Sequence, residues 1–169
     1  MRFLVPLPFV VVLVALLWFG FGRNPANVSD PLVGRRAPLF ILKSANGQTI
    51  SLRHLRGRPV VLSFFASWCT SCQANEGNLV QAYRQYHRQV RFVGVIYEDS
   101  PALAASFTRA HGGRWPDLID PHSNVAIAYG ISGIPTTFFI NARGIITGLT
   151  FGLLPDSLDQ GIQTAMGAL

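Results

Sequence analysis

The chain holds two cysteines, and they stand together in Trp68-Cys69-Thr70-Ser71-Cys72. Two thiols with two residues between them can close a disulfide across one helical turn. A loop that short adds little to fold stability, because the cross-link removes little entropy from the unfolded chain. The pair therefore reads as redox chemistry. A closed zinc site would need a second Cys pair or a His-x-x-x-His to complete its ligand set, and the sequence has neither. His54, His87, His111 and His122 are dispersed and read as surface or helix-face residues.

The reactivity of such a pair is set by the element that carries it. Val60-Val61-Leu62-Ser63-Phe64-Phe65 is a continuous β-rich apolar run of the kind buried on both faces of a sheet. Leu79, Ala82, Tyr83 and Tyr86 then recur at helical spacing, which predicts a helix from Thr70 to His87. Cys69 falls at the N-terminus of that helix, where unpaired N–H groups and the helix dipole stabilise a thiolate. It is the expected nucleophile. Cys72, one turn deeper and shielded, is the expected resolving thiol.

The remaining pattern alternates strands and helices. Arg91–Tyr97 reads as a buried strand, and Ser100-Pro101 starts a helix whose face runs through Leu103, Phe107 and His111. A strand, a helical crossover and a second strand imply a parallel central pair. Asp120 to Tyr129 reads as a short helix closed by Gly130, with Asp117 and Asp120 as turn or capping residues and Trp115-Pro116 packed under a loop. Thr136–Ile140, the turn Asn141–Gly144 and Ile145–Leu149 read as strand, turn and strand. Leu158, Ile162, Ala165 and Met166 mark a closing amphipathic helix. Upstream, Leu39–Leu42 and Gln48–Leu52 flank Asn46-Gly47 as a hairpin. The expectation is an α/β sandwich with helices on both faces of a mixed sheet.

These motifs resemble the thioredoxin superfamily. Trp68-Cys69-x-x-Cys72 after a buried strand looks like that family's active site, and Gly133-Ile134-Pro135-Thr136 opening a later strand looks like its cis-proline loop. The resemblance implies that Ile134, Pro135 and Thr136 face the cysteines and hold a client's extended chain, with Trp68 as a client contact beside the nucleophile. It also implies that the proline denies the thiols a metal.

A closer resemblance is to the membrane-anchored branch that includes the cytochrome c maturation protein CcmG (also called DsbE), ResA and TlpA. It is carried by the N-terminal apolar segment, by Pro31–Pro38, by Val93–Asp99 and by the Asn141–Gly144 turn, and it looks most like CcmG/DsbE. It implies a thioredoxin-like three-layer α/β sandwich with a mixed central β-sheet and an added N-terminal β-hairpin, behind a single transmembrane helix. It implies no cofactor beyond a redox-active Cys69-Cys72 disulfide. The implied client is a protein with a CxxC disulfide, apocytochrome c before haem attachment, and the implied electron donor is a membrane carrier of DsbD or CcdA type.

The chain departs from these patterns at two positions. The acidic residue that this branch carries three after the second cysteine is Asn75 here, and the Asp that thioredoxins bury six before the first cysteine is Ser63. Glu76, four after Cys72, lies on the same helix face and is the candidate proton acceptor. Glu98 closes the next strand. Thr70-Ser71 lacks both the proline common in reductants and the histidine of strong oxidants, and on balance leans toward a reductant.

From Phe3 to Gly22 no residue is charged. At about 1.5 Å per helical residue this reaches about 30 Å, the thickness of a bilayer core. Residues 1–23 read as an uncleaved anchor rather than a cleaved signal peptide, 24–32 as a tether, and 33–169 as the thioredoxin-like domain. The resemblance sets the orientation, in the cytoplasmic (inner) membrane with the domain periplasmic. No later run is long and apolar enough to span, which excludes a polytopic transporter. The net charge of +6 comes from scattered residues, Arg53, Arg56 and Arg58 being the densest group, without the interleaved aromatic stripe of a nucleic-acid binder. The alternatives are a reductant for copper-site assembly in a terminal oxidase and a Cu(I) chaperone binding through Cys69, Cys72 and a His.

Overall fold

The computed structural model describes residues 31–152 and 154–167, so the expected anchor and most of the tether lie outside the described residues. Among the described residues no helix is long and apolar enough to cross a membrane. The strands are β1 (Ile41–Ser44), β2 (Thr49–Ser51), β3 (Val60–Phe65), β4 (Arg91–Ile96), β5 (Asp117–Ile119), β6 (Thr136–Ile140) and β7 (Ile146–Phe151). The helices are α1 (Leu52–Leu55), α2 (Thr70–Tyr86), α3 (Pro101–Ala110), α4 (Asn124–Ala128) and α5 (Pro155–Gly167).

Every residue of β3 is buried, as a run without alternation requires. It lies inside one mixed sheet of order β2-β1-β5-β4-β3-β6-β7. β3, β4 and β5 run parallel, joined by the crossovers through α2 and α3, while the remaining pairs are antiparallel. Alternation along β3 divides the core. Val61 meets Leu79, Val80, Phe92, Phe139, Leu158 and Ile162, beneath α2 and α5. On the other face Val60, Leu62 and Phe64 meet Leu52, Val95, Leu118, Val125, Tyr129 and Phe138. The closing helix buries Leu158, Ile162 and Ala165, three of the four positions its spacing named. Trp115 is buried, with its ring against Tyr83 and Phe92.

Three local expectations need correction. Asp117 is not a turn residue: it opens β5, a three-residue strand paired with β4 and β1. So short a segment shows no period. The buried face of α3 is Ala104, Ala105, Phe107 and Thr108, and Leu103 is 60% exposed, because small alanines let the helix sit close to the sheet. The helix expected from Asp120 begins at Asn124, and Asp120 caps it: Oδ2 accepts Val125 N–H at 2.9 Å and Ala126 N–H at 3.0 Å.

Candidate active site

Cys69 is the N-cap of α2, and its Sγ accepts the Cys72 N–H at 3.0 Å. This bond satisfies one of the orphan donors of the first turn. It also places the sulfur at the positive end of a 17-residue helix. Cys69 and Cys72 form a disulfide. Cys69 is 5% exposed and Cys72 fully buried, so an incoming disulfide reaches Cys69 first.

The cis-proline loop faces the pair. The Ile134–Pro135 bond is cis, and the Ile134 carbonyl oxygen lies 3.7 Å from Cys69 Sγ and 3.4 Å from Ser71 Oγ. Ser71 Oγ is 3.3 Å from Cys69 Sγ, a hydroxyl beside the sulfur that forms a thiolate on reduction. Ile134 is half-buried and Pro135 buried. Thr136 is 2% exposed and its hydroxyl donates to Gly133 O at 2.6 Å. Thr136 thus braces the loop.

Trp68 is 56% exposed at the rim. Its indole Nε1 donates to Glu98 O at 3.1 Å. Glu98 holds a left-handed φ of +46°, which for a side-chain-bearing residue costs about 1–2 kcal/mol, and that conformation turns its carbonyl toward the indole. Asp99 secures the neighbouring loops: one carboxylate oxygen accepts Ser67 N–H at 2.6 Å and the other Ser100 N–H at 2.7 Å. The loop after β3 is thereby tied to the start of α3.

Glu76 lies one turn past Cys72 and is 2% exposed, so it is no solvated helix residue. Burial first, and the nearby Asp117 second, push its pKa from 4.5 up to about 8. Asn75 turns back to donate to Ser71 O at 2.7 Å. Ser63, at the position of the missing Asp, accepts from Thr137 Oγ1 at 3.0 Å. Sequence reasoning missed Asp117. Its carboxyl is 5% exposed, and burial raises its pKa from 3.8 to about 7 against smaller opposing effects of Thr108 and Arg109. An acidic residue opening an apolar triplet was the available signal.

With one sulfur at a helix N-terminus, a buried second sulfur bonded to it and a backbone carbonyl 3.7 Å from the first, the site can exchange disulfides through a mixed-disulfide intermediate. The comparisons agree. Residues 33–149 match the AhpC/TSA family. The thiol:disulfide interchange protein DsbE of Allochromatium vinosum is 32% identical over 148 residues, 86% of this chain and 81% of the relative. The thiol-disulfide oxidoreductase ResA of Bacillus subtilis is 32% identical over 126 residues, 74% of this chain and 70% of the relative. The crystal structure of a putative DsbE from Chlorobium tepidum superposes with a TM-score of 0.71 at 28% identity, covering 81% of this chain and 98% of that one. The chain belongs to the thioredoxin-like AhpC/TSA family, as a thiol:disulfide oxidoreductase of the DsbE and ResA type that works through its own cysteines.

Proposed function

We propose that this oxidoreductase is a reductant anchored in the cytoplasmic membrane by residues 1–23, with its domain in the periplasm. Its client is a CxxC disulfide in apocytochrome c, opened before haem attachment, and a membrane carrier of DsbD or CcdA type recharges it. The observation that carries the exchange chemistry is the Ile134 carbonyl 3.7 Å from Cys69 Sγ, which sets a client's extended backbone beside the nucleophile. Two features support the reducing direction. The neighbour of the sulfur is the Ser71 hydroxyl, which stabilises a thiolate less than an imidazolium would. The resemblance of the N-terminal segment and of Pro31–Pro38 to the CcmG/DsbE branch supports the anchor and the client.

The reaction is balanced within the protein. The Cys69 thiolate attacks the client disulfide, forming a mixed disulfide and releasing one client thiolate. Cys72 loses its proton and attacks Cys69 Sγ, closing the Cys69–Cys72 bond and releasing the second client thiolate. Two electrons pass to the client. Glu76 is the group proposed to take the proton of Cys72.

A full-length Cys72→Ser variant, expressed in cells that make cytochrome c, tests the reading. It is expected to accumulate a mixed disulfide with apocytochrome c, identified by mass spectrometry after non-reducing separation. Capture of an oxidase copper-site protein would move the client to the copper-assembly reading, and bound copper with no trapped protein would overturn both.

A further inference from the structure

Four residues stand in register across neighbouring strands beneath α2: Thr137 on β6, Ser63 on β3, Gly94 on β4 and Asp117 on β5. Three of them carry polar side chains, all buried. Gly94 is the gap in the row. A Cβ there would lie 2.5 Å from Asp117 Oδ1 and 2.8 Å from the Phe65 ring, so the Asp117 carboxyl leans over the glycine into the space below the helix. Glu76 is buried on α2, four residues after Cys72, and feels the Asp117 charge.

Asp117 Oδ1 is buried and has no hydrogen-bond partner among the described residues. A buried carboxyl oxygen without a donor is costly as an anion. The groups around it do little to offset that cost. The Thr108 hydroxyl and Arg109, both on α3, favour the anion, but less than burial disfavours it, and Arg109 is itself exposed. β4 offers only Gly94, Ser63 and Thr137 are engaged with one another, and α2 contributes Cys72 and a second acid. Two buried acids close enough for the charge of one to raise the pKa of the other are most stable with one proton between them.

Resting on the exchange reaction above, we infer that Glu76 and Asp117 form a carboxyl pair that carries one proton and one vacancy for Cys72. Glu76 exchanges the proton with the thiol, and Asp117 is the positioning residue that sets the charge on Glu76. When the Cys69–Cys72 bond closes, the proton already on the pair shifts to Asp117 and Glu76 takes the Cys72 proton; when the bond is opened by the electron donor, Glu76 returns a proton to the Cys72 thiolate and the pair is left with one. The match is chemical. An isolated Glu ionises near 4.3 and a thiol near 8.5, so a lone solvated carboxylate is a poor acceptor, whereas an acid near the thiol's range passes the proton in either direction.

The test is single-turnover reduction of a model peptide with a CxxC disulfide by the reduced full-length protein, following resolution of the mixed disulfide against pH. Glu76→Gln is expected to slow resolution about tenfold or more. Asp117→Asn is expected to move the inflection down by about half a pH unit or more, because Glu76 loses its charged neighbour. Glu76→Gln combined with Asp117→Asn is expected to match Glu76→Gln alone. An Asp117→Asn profile that superposes on the wild type, or single effects that multiply in the double variant, would overturn the pair while leaving the exchange reaction standing. A wild type that never resolves the mixed disulfide would overturn both. Infrared spectroscopy of the wild type supplies a readout independent of variant folding. The C=O band of a protonated carboxyl is expected to fall in two steps around pH 7 and 8, and no such band at any pH above the ordinary carboxylate range would overturn the pair.

Discussion

Cys69 and Cys72 are three positions apart in sequence and differ in what reaches them. Cys69 has its sulfur at the rim with a helix N-terminus behind it, and Cys72 is sealed. In the reduced protein, iodoacetamide is expected to label Cys69 at least about tenfold faster than Cys72, since the species it alkylates is the thiolate and Cys69 is the one at the helix N-terminus and nearer solvent; peptide mapping by mass spectrometry checks the ratio. Trp68 gives a second residue-scale expectation. Its indole is exposed and is held by a single hydrogen bond to Glu98 O, so Trp68→Ala should leave the melting temperature nearly unchanged. It should slow exchange with a protein client more than exchange with a small disulfide such as oxidised glutathione. Equal slowing of both would remove its role as a client contact. The cysteines and Glu76 were legible in the sequence because their spacing places them on successive turns of one helix, and the proline loop was legible through the resemblance to the thioredoxin superfamily. Asp117 was not, since its partner Glu76 is 41 positions away and only strand register brings them under one helix.

At the scale of elements, long strongly patterned segments were read to within a residue or two: β3, α2 and β6 have the expected bounds or nearly so. The short pieces were not. β5 is three residues whose hydrogen bonds come from β4 and β1, so its conformation is imposed by neighbours rather than by its own composition. α4 is five residues long and depends on its cap. Asp120→Ala removes the acceptor for two buried N–H groups and is expected to cost about 1–2 kcal/mol, measured as a lower urea midpoint at unchanged slope. Asp120→Asn should recover much of the loss, because an amide oxygen also caps. The turn between β6 and β7 follows the same logic: Asn141 Oδ1 accepts Arg143 N–H at 3.1 Å and Ile145 N–H at 3.0 Å, and Gly144 supplies the left-handed φ of +83° that lets the chain return.

For the molecule as a whole, the two buried acids couple stability to pH. Both folded-state pKa values are raised, to about 8 for Glu76 and about 7 for Asp117, so the folded protein binds more protons than the unfolded chain between the two ranges. Their stabilising contribution is complete at acid pH, below the unfolded carboxyl values, and is lost as pH rises through 7 and then 8. Urea unfolding of the oxidised wild type should therefore show a larger loss of stability between pH 5 and pH 9 than the Glu76→Gln, Asp117→Asn double variant. A double variant with the same pH dependence would contradict the assignment. The redox loop itself hangs from β3, which is hydrogen-bonded on both edges and buried on both faces. Backbone amides there exchange with solvent only when the whole domain opens. Deuterium uptake along β3 is thus a gauge built in next to the disulfide: its rate in the oxidised and reduced forms, compared on the same peptides, converts the redox state of two sulfurs into the free energy of the entire fold.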